Sequence, residues 1–160
     1  MGLSVSVYKN IKPCSDEDAN FVAYVINDSW KWKIKNLIYD QAYKGDFIDN
    51  VGVNCGYGFH GLFRGFLLKI AGRPDLLRSD GTVNYDKIYK EEGLPFFDLI
   101  DFADNEGCLD WEVAEKILVD FELYAEKASP SDNAVMSERY VKWHDVFRAA
   151  VEHKGVIEFS

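Results

Sequence analysis

Cysteine is scarce in this chain and odd in number, with Cys14, Cys55 and Cys108 standing far apart. An oxidised, secreted scaffold carries an even set, so that class is excluded and reduced thiols in a cytosolic protein are expected. Long apolar runs are missing as well. No stretch approaches the roughly 20 apolar residues that a membrane helix needs. Ser4, Ser6, Lys9 and Asn10 interrupt any apolar run near the first residue, so no signal peptide is expected. Proline occurs only four times in 160 residues, and no low-complexity tract, internal repeat or linker divides the chain. A single domain over residues 1–160 follows. Basic residues are outnumbered, 18 against 27 acidic ones, for a net charge of −9. Such a surface repels phosphate backbones, which argues against non-specific nucleic-acid binding, and it attracts basic partners. No H-E-x-x-H, C-x-x-C, Walker loop or G-x-S-x-G occurs, so the familiar metal, redox, phosphate-loop and serine-hydrolase signatures are all wanting.

What the chain does have is apolar and aromatic mass, 48% and 15% of its residues. A domain of this length buries roughly 70% of the surface its unfolded chain exposes, so no disulfide or metal is needed to hold it together. Leu3, Val5 and Val7 alternate with Ser4, Ser6 and Tyr8, the period of a half-buried strand. Phe21–Ile26 reads as a second strand, and Trp30, Trp32, Ile34 and Leu37 keep a parity that fits a strand or a helix start. From Phe59 the period changes: Phe59, Leu62, Phe63, Phe66, Leu67 and Ile70 form a helical stripe, with Arg64, Lys69 and Arg73 on or near its polar side. Gly61 and Gly65 would let another element approach, and Gly72 with Pro74 stops the helix. A short buried helix follows Pro95. Asp110 is the expected N-cap of the next helix, with Trp111, Ala114, Ile117, Leu118, Phe121, Tyr124 and Ala125 as its buried face and Ser129, Pro130 and Ser131 as its break. A last helix starts near Asp132, carries Met136, Tyr140, Trp143 and Phe147 inward, and ends at Lys154 with Gly155 as its cap. Val156, Ile157 and Phe159 then read as a closing strand that pairs with the N-terminal ones. The expected fold is α+β: a small antiparallel sheet of N- and C-terminal strands packed against about three to four helices.

Three clusters bear on chemistry. Gly56, Gly58 and Gly61 spell G-x-G-x-x-G ahead of a helix, but Asp46–Val53 before them is acidic and poorly strand-like, so a dinucleotide fold is not expected. A looser version remains, in which Tyr57, Gly58, His60, Arg64 and Arg73 hold a small anionic ligand at the helix start. Asp101, Asp104 and Glu106, with Asp110, surround Gly107 and offer oxygens to a metal; the same residues read more readily as a polar turn whose acids cap the next helix. With Gly107 at the sixth position of an EF-hand loop, Phe102 and Val113 fall where its first and last carboxylates belong, so it is not that loop. Cys55 with His60, and Cys108 with His144 or His153, are the thiol–imidazole pairs available, and no flanking signature supports either. Tyr8, Tyr24, Trp30, Trp32 and Tyr39 line a ligand face or fill the core.

The run Phe97-Asp98-Leu99-Ile100-Asp101-Phe102-Ala103-Asp104-Asn105-Glu106-Gly107 resembles a phrase recurring in a family of small uncharacterised phage and bacterial proteins. The opening Met1-Gly2-Leu3, the helix with Phe63-Arg64 that finishes Ile70-Ala71-Gly72, and Trp143–Phe147 leading into Gly155-Val156-Ile157-Glu158-Phe159 resemble it too. Together they span most of the chain, least over Ala19–Val53. The family's helix start is richer in serine and tyrosine than Gly56–Gly61 here. The resemblance implies a phage or prophage-bearing host, hence host-cell cytoplasm, and carries over no catalytic residue and no cofactor. The combined expectation is a non-enzymatic, phage-linked accessory protein that binds a host protein, such as a defence component it inhibits. Capture of a small anion such as a signalling nucleotide, and a metal-assisted hydrolase on Asp101, Asp104 and Glu106, are the alternatives.

Overall fold

The computed structural model describes residues 2–129 and 132–160; Pro130 and Ser131 of the expected helix break lie outside the described residues. In chain order the strands are β1 (Gly2–Pro13), β2 (Phe21–Val22), β3 (Ala42–Gly56), β4 (Gly107–Leu109) and β5 (Val156–Phe159). The helices are α1 (Tyr57–Ile70), α2 (Tyr85–Ile88), α3 (Phe97–Ile100), α4 (Trp111–Leu123) and α5 (Ala134–His153). All strands join one antiparallel sheet in the order β2-β3-β1-β5-β4, so the chain is α+β. β1 buries Leu3, Val5 and Val7, and the closing strand pairs with it as its alternation implies, Val5 opposite Phe159 and Val7 opposite Ile157. α5 crosses β1 and β3 and packs along α4, placing Trp143 at the centre of the core. Its indole lies 5.7 Å from the Phe147 ring, 5.8 Å from Phe159 and 6.3 Å from Phe63.

Asp46–Val53, expected to be a poor strand, lies inside β3, whose pairings beyond Tyr43 are all to β1. Its outer side is therefore an edge, where Asp46, Asp49 and Asn54 sit in solvent and protect against stray pairing. The register also slips between Ser6/Gly52 and Tyr8/Phe47, with Asn50 left-handed at φ 61°. This bulge breaks the period that would have announced the strand. Gly52 sits where a Cβ would come 2.6 Å from the Val5 carbonyl oxygen. Of Phe21–Ile26, only Phe21–Val22 is strand; residues 23–41 form a long excursion containing the 3-10 segment Asp28–Ile34.

The buried face of α1 is His60, Phe63, Arg64, Gly65, Leu67 and Leu68, rotated from the expected stripe, so Arg64 points inward and Leu62 outward. The Gly72–Asn84 segment covers the Gly65 side of the helix, because a Cβ on Gly65 would overlap the Gly81 carbonyl oxygen. Gly61, by contrast, has open space around it. At the end of α5 the left-handed residue is Lys154, φ 45°, rather than the glycine expected to cap it. Gly155 serves the next step: a Cβ there would come 2.5 Å from the Tyr8 carbonyl oxygen.

Candidate functional site

The residues proposed for an anion at the start of α1 are not brought together. Tyr57 and Gly58 lie in the first turn. His60 is fully buried, its ring stacked 5.4 Å from Trp143. Arg64 is 6% exposed; its Nη2 donates to the Phe102 carbonyl at 2.6 Å and its Nη1 to Tyr85 Oη at 3.1 Å. Arg73 sits beyond the other end of α1, donating to Asp75 Oδ1 at 3.1 Å and Glu91 Oε2 at 3.0 Å, partners that push its pKa above the usual arginine range. These cations already have internal acceptors. Gly58 and Gly61 are helical and unobstructed, so Gly61→Ala should stabilise the protein by about 0.5–1 kcal/mol and Gly58→Ala should cost nothing. Gly65→Ala should cost about 1–3 kcal/mol, because its Cβ meets backbone. Urea unfolding of the three variants checks the contrast; a loss at Gly58 or Gly61 equal to that at Gly65 would contradict it.

The acidic turn is also engaged. Asp101 Oδ2 accepts from Trp30 Nε1 at 3.2 Å and its Oδ1 from Tyr89 Oη at 2.8 Å, while Glu106 Oε2 accepts from Tyr24 Oη at 2.7 Å. Burial and the Asp101 acceptor push the Tyr89 phenol up to about 12. Among the described residues no three histidine, cysteine or acidic side chains are placed to share an ion. Asp110 is fully buried and caps α4 as expected, its Oδ1 accepting from Glu112 N at 3.1 Å and Val113 N at 3.3 Å. Of the thiols, Cys108 is buried and pushed up to about 12 by desolvation, and burial also raises Cys55. Both are held protonated, the opposite of what a nucleophile needs. His144 is half-buried with its pKa lowered by that burial, and it lies 3.2 Å from an Arg148 guanidinium nitrogen.

The Phe97–Gly107 run is tied down by two buried cations that the sequence reading left on the surface or did not single out. Lys33 is 1% exposed; its Nζ donates to the carbonyls of Asp98, at 3.0 Å, and Asp101, over the rings of Trp30 and Phe102. Desolvation lowers its pKa to about 8. Arg64 holds Phe102, Tyr85 Oη donates to the Ile100 carbonyl at 3.3 Å, and Asp120 accepts from Phe96 N at 2.9 Å. The turn thereby locks α1 and the 23–41 excursion to one frame.

The aromatic group divides. Tyr8, Tyr24 and Trp30 are partly buried, whereas Trp32 and Tyr39 are exposed. Trp32 and Trp111 both line a pocket of about 590 Å³ that also meets Lys35, Lys116 and Lys154. Sequence reasoning missed this grouping because its parts come from the excursion, the start of α4 and the end of α5. No family model, curated protein or solved structure matches the chain.

Proposed function

We propose that the chain is a non-enzymatic, phage-linked binding protein that engages a host protein, with a component of a defence system as the class it inhibits. The observation that carries this reading is the excursion at residues 23–41. Ile38 is 63% exposed and Ile26 49%, and Trp32 and Tyr39 lie in the same segment. Side chains so open contribute little to the fold, and a long connection of this kind is more often a recognition element than a mere link. The segment is also tied to the rest of the fold. Lys33 anchors it to the turn, Asn36 N donates to Asp110 Oδ2 at 3.0 Å, and Asp40 N donates to the Ala23 carbonyl at 2.8 Å. A preorganised apolar loop loses little conformational entropy on docking. The partner it fits presents an apolar hollow that receives Ile26 and Ile38.

The test uses the Ile26→Asp, Ile38→Asp double variant, whose thermal midpoint should match the parent's because both side chains are exposed. A host protein captured by the parent is purified and its binary affinity measured. The variant should bind it at least about tenfold more weakly, the scale of losing apolar anchors. Equal binding by both forms, or no protein held by the parent, overturns the reading.

A further inference from the structure

We infer that the hollow between Trp32 and Trp111 is a binding site for a small aromatic anion of the nucleotide class. This goes beyond the protein-docking reading; the two share Trp32, but Ile26 and Ile38, the side chains that test docking, are not part of the pocket lining. The backbone beside the two indoles is tied together: Asp110 N donates to the Lys33 carbonyl at 2.9 Å, and the residues flanking that hydrogen bond, Trp32 and Trp111, both line the hollow. The buried Asp110 carboxylate braces both walls at once, accepting from Glu112 N at 3.1 Å and from Asn36 N and Nδ2 at 3.0 Å. The site is therefore preformed, and its volume of about 590 Å³ falls inside the range of small-ligand pockets.

The lining has the two groups that such a ligand needs. Trp32 is 43% exposed, and the Lys116 ammonium sits 4.7 Å from the centre of its ring. The buried Lys33 ammonium also lies 5.7 Å from that ring centre, so the part of the indole open to solvent is met by Lys116, an exposed cation that a flat heterocycle displaces on stacking. Lys35, Lys116 and Lys154 surround the same space, in a chain whose net charge is −9. Lys35 is paired with Glu112, an exposed pair weak enough to exchange for a ligand phosphate; Lys116 is exposed but paired at 3.2 Å with Asp98, whose side chain is mostly buried, so it holds its partner more firmly. Lys154 makes no ion pair among the described residues. It also occupies a left-handed backbone position, φ 45°, where glycine is least strained. Glu112 and Glu115 on the rim leave the lining only slightly positive, so affinity should be modest and should fall with salt.

The test titrates AMP, GMP, adenosine, inorganic phosphate and a 5′-phosphorylated single-stranded DNA ten-mer into the full chain, reading tryptophan fluorescence and calorimetry. AMP or GMP should bind in the micromolar range, with adenosine and phosphate each at least about tenfold weaker. Trp111→Ala should weaken the nucleotide at least about tenfold, from loss of one stacking wall. Lys154→Gly should weaken it about fivefold while leaving the thermal midpoint unchanged or raised, an outcome a purely structural lysine would not produce. The Ile26→Asp, Ile38→Asp variant should keep its nucleotide affinity. The proposal is overturned if nucleotides bind no better than phosphate, if Trp111→Ala binds as the parent does, or if only the ten-mer binds.

Discussion

Replacing Arg64 by methionine is expected to destabilise the fold by about 2–4 kcal/mol, read as a lower urea midpoint with an unchanged slope. The guanidinium is buried between α1 and the Phe97–Gly107 turn, where it donates to the Phe102 carbonyl at 2.6 Å and to Tyr85 Oη at 3.1 Å. Hydrogen bonds from a charged donor contribute about 1.5–3 kcal/mol each, and the variant also leaves the Phe102 carbonyl without its partner in a dry site. Two effects oppose the loss. Among the described residues Arg64 Nε is buried without an acceptor and no carboxylate pairs with the group, so removing the charge relieves a desolvation cost. Methionine restores most of the stem's packing, which keeps the effect on the polar head. A stability change under about 0.5 kcal/mol together with lost binding of a small anion would reverse the assignment and make Arg64 a ligand group.

Arg64 also shows where the sequence was readable and where it was not. β1, β5, α4 and α5 are regular and one-sided, so their periods state which residues go inside: Val5, Phe159, Ile117 and Trp143 are all buried. β3 hides because a bulge splits its alternation and a polar edge dilutes it. In Lys31-Trp32-Lys33-Ile34-Lys35, strand parity would place all three lysines on one face. The 3-10 turn of Asp28–Ile34 instead buries Lys33 beside Ile34 and leaves Trp32 outside. A buried cation held mainly by backbone carbonyls leaves no acidic partner in the sequence to betray it, which is why Arg64 reads as a charge on the polar side of its helix and nothing in the sequence points to Lys33. The pocket is illegible for a related reason: Trp32, Trp111 and Lys154 meet only through the sheet order and the Asp110 brace.

The second large effect is expected at His60. Its imidazole is wholly buried against Trp143, and neither ring nitrogen has a hydrogen-bond partner among the described residues. Burial, and then the charges of Arg64 and Arg139, hold its pKa well below the ordinary value of 6.5. The unfolded chain protonates this ring once pH falls below about 6.5, while the folded chain does not. The unfolded state then binds the extra proton, so the stability that goes with the neutral ring is complete above about pH 6.5. Below it, stability falls by about 1.4 kcal/mol per pH unit until the folded pKa is reached. His60→Phe removes two orphaned polar atoms and keeps a ring on the indole, so at pH 7 it should stabilise the protein by about 1–3 kcal/mol. His60→Leu checks the same point without the larger ring, should phenylalanine overfill the site. Both variants should also lose most of the acid slope between about pH 6.5 and 5, leaving the smaller part that His144 contributes in the same direction. Urea midpoints of parent and variants at a series of pH values decide it. If the parent's slope survives in both variants, protonation of His60 does not govern acid unfolding, and the ring must find a solvent path that its burial against Trp143 denies it.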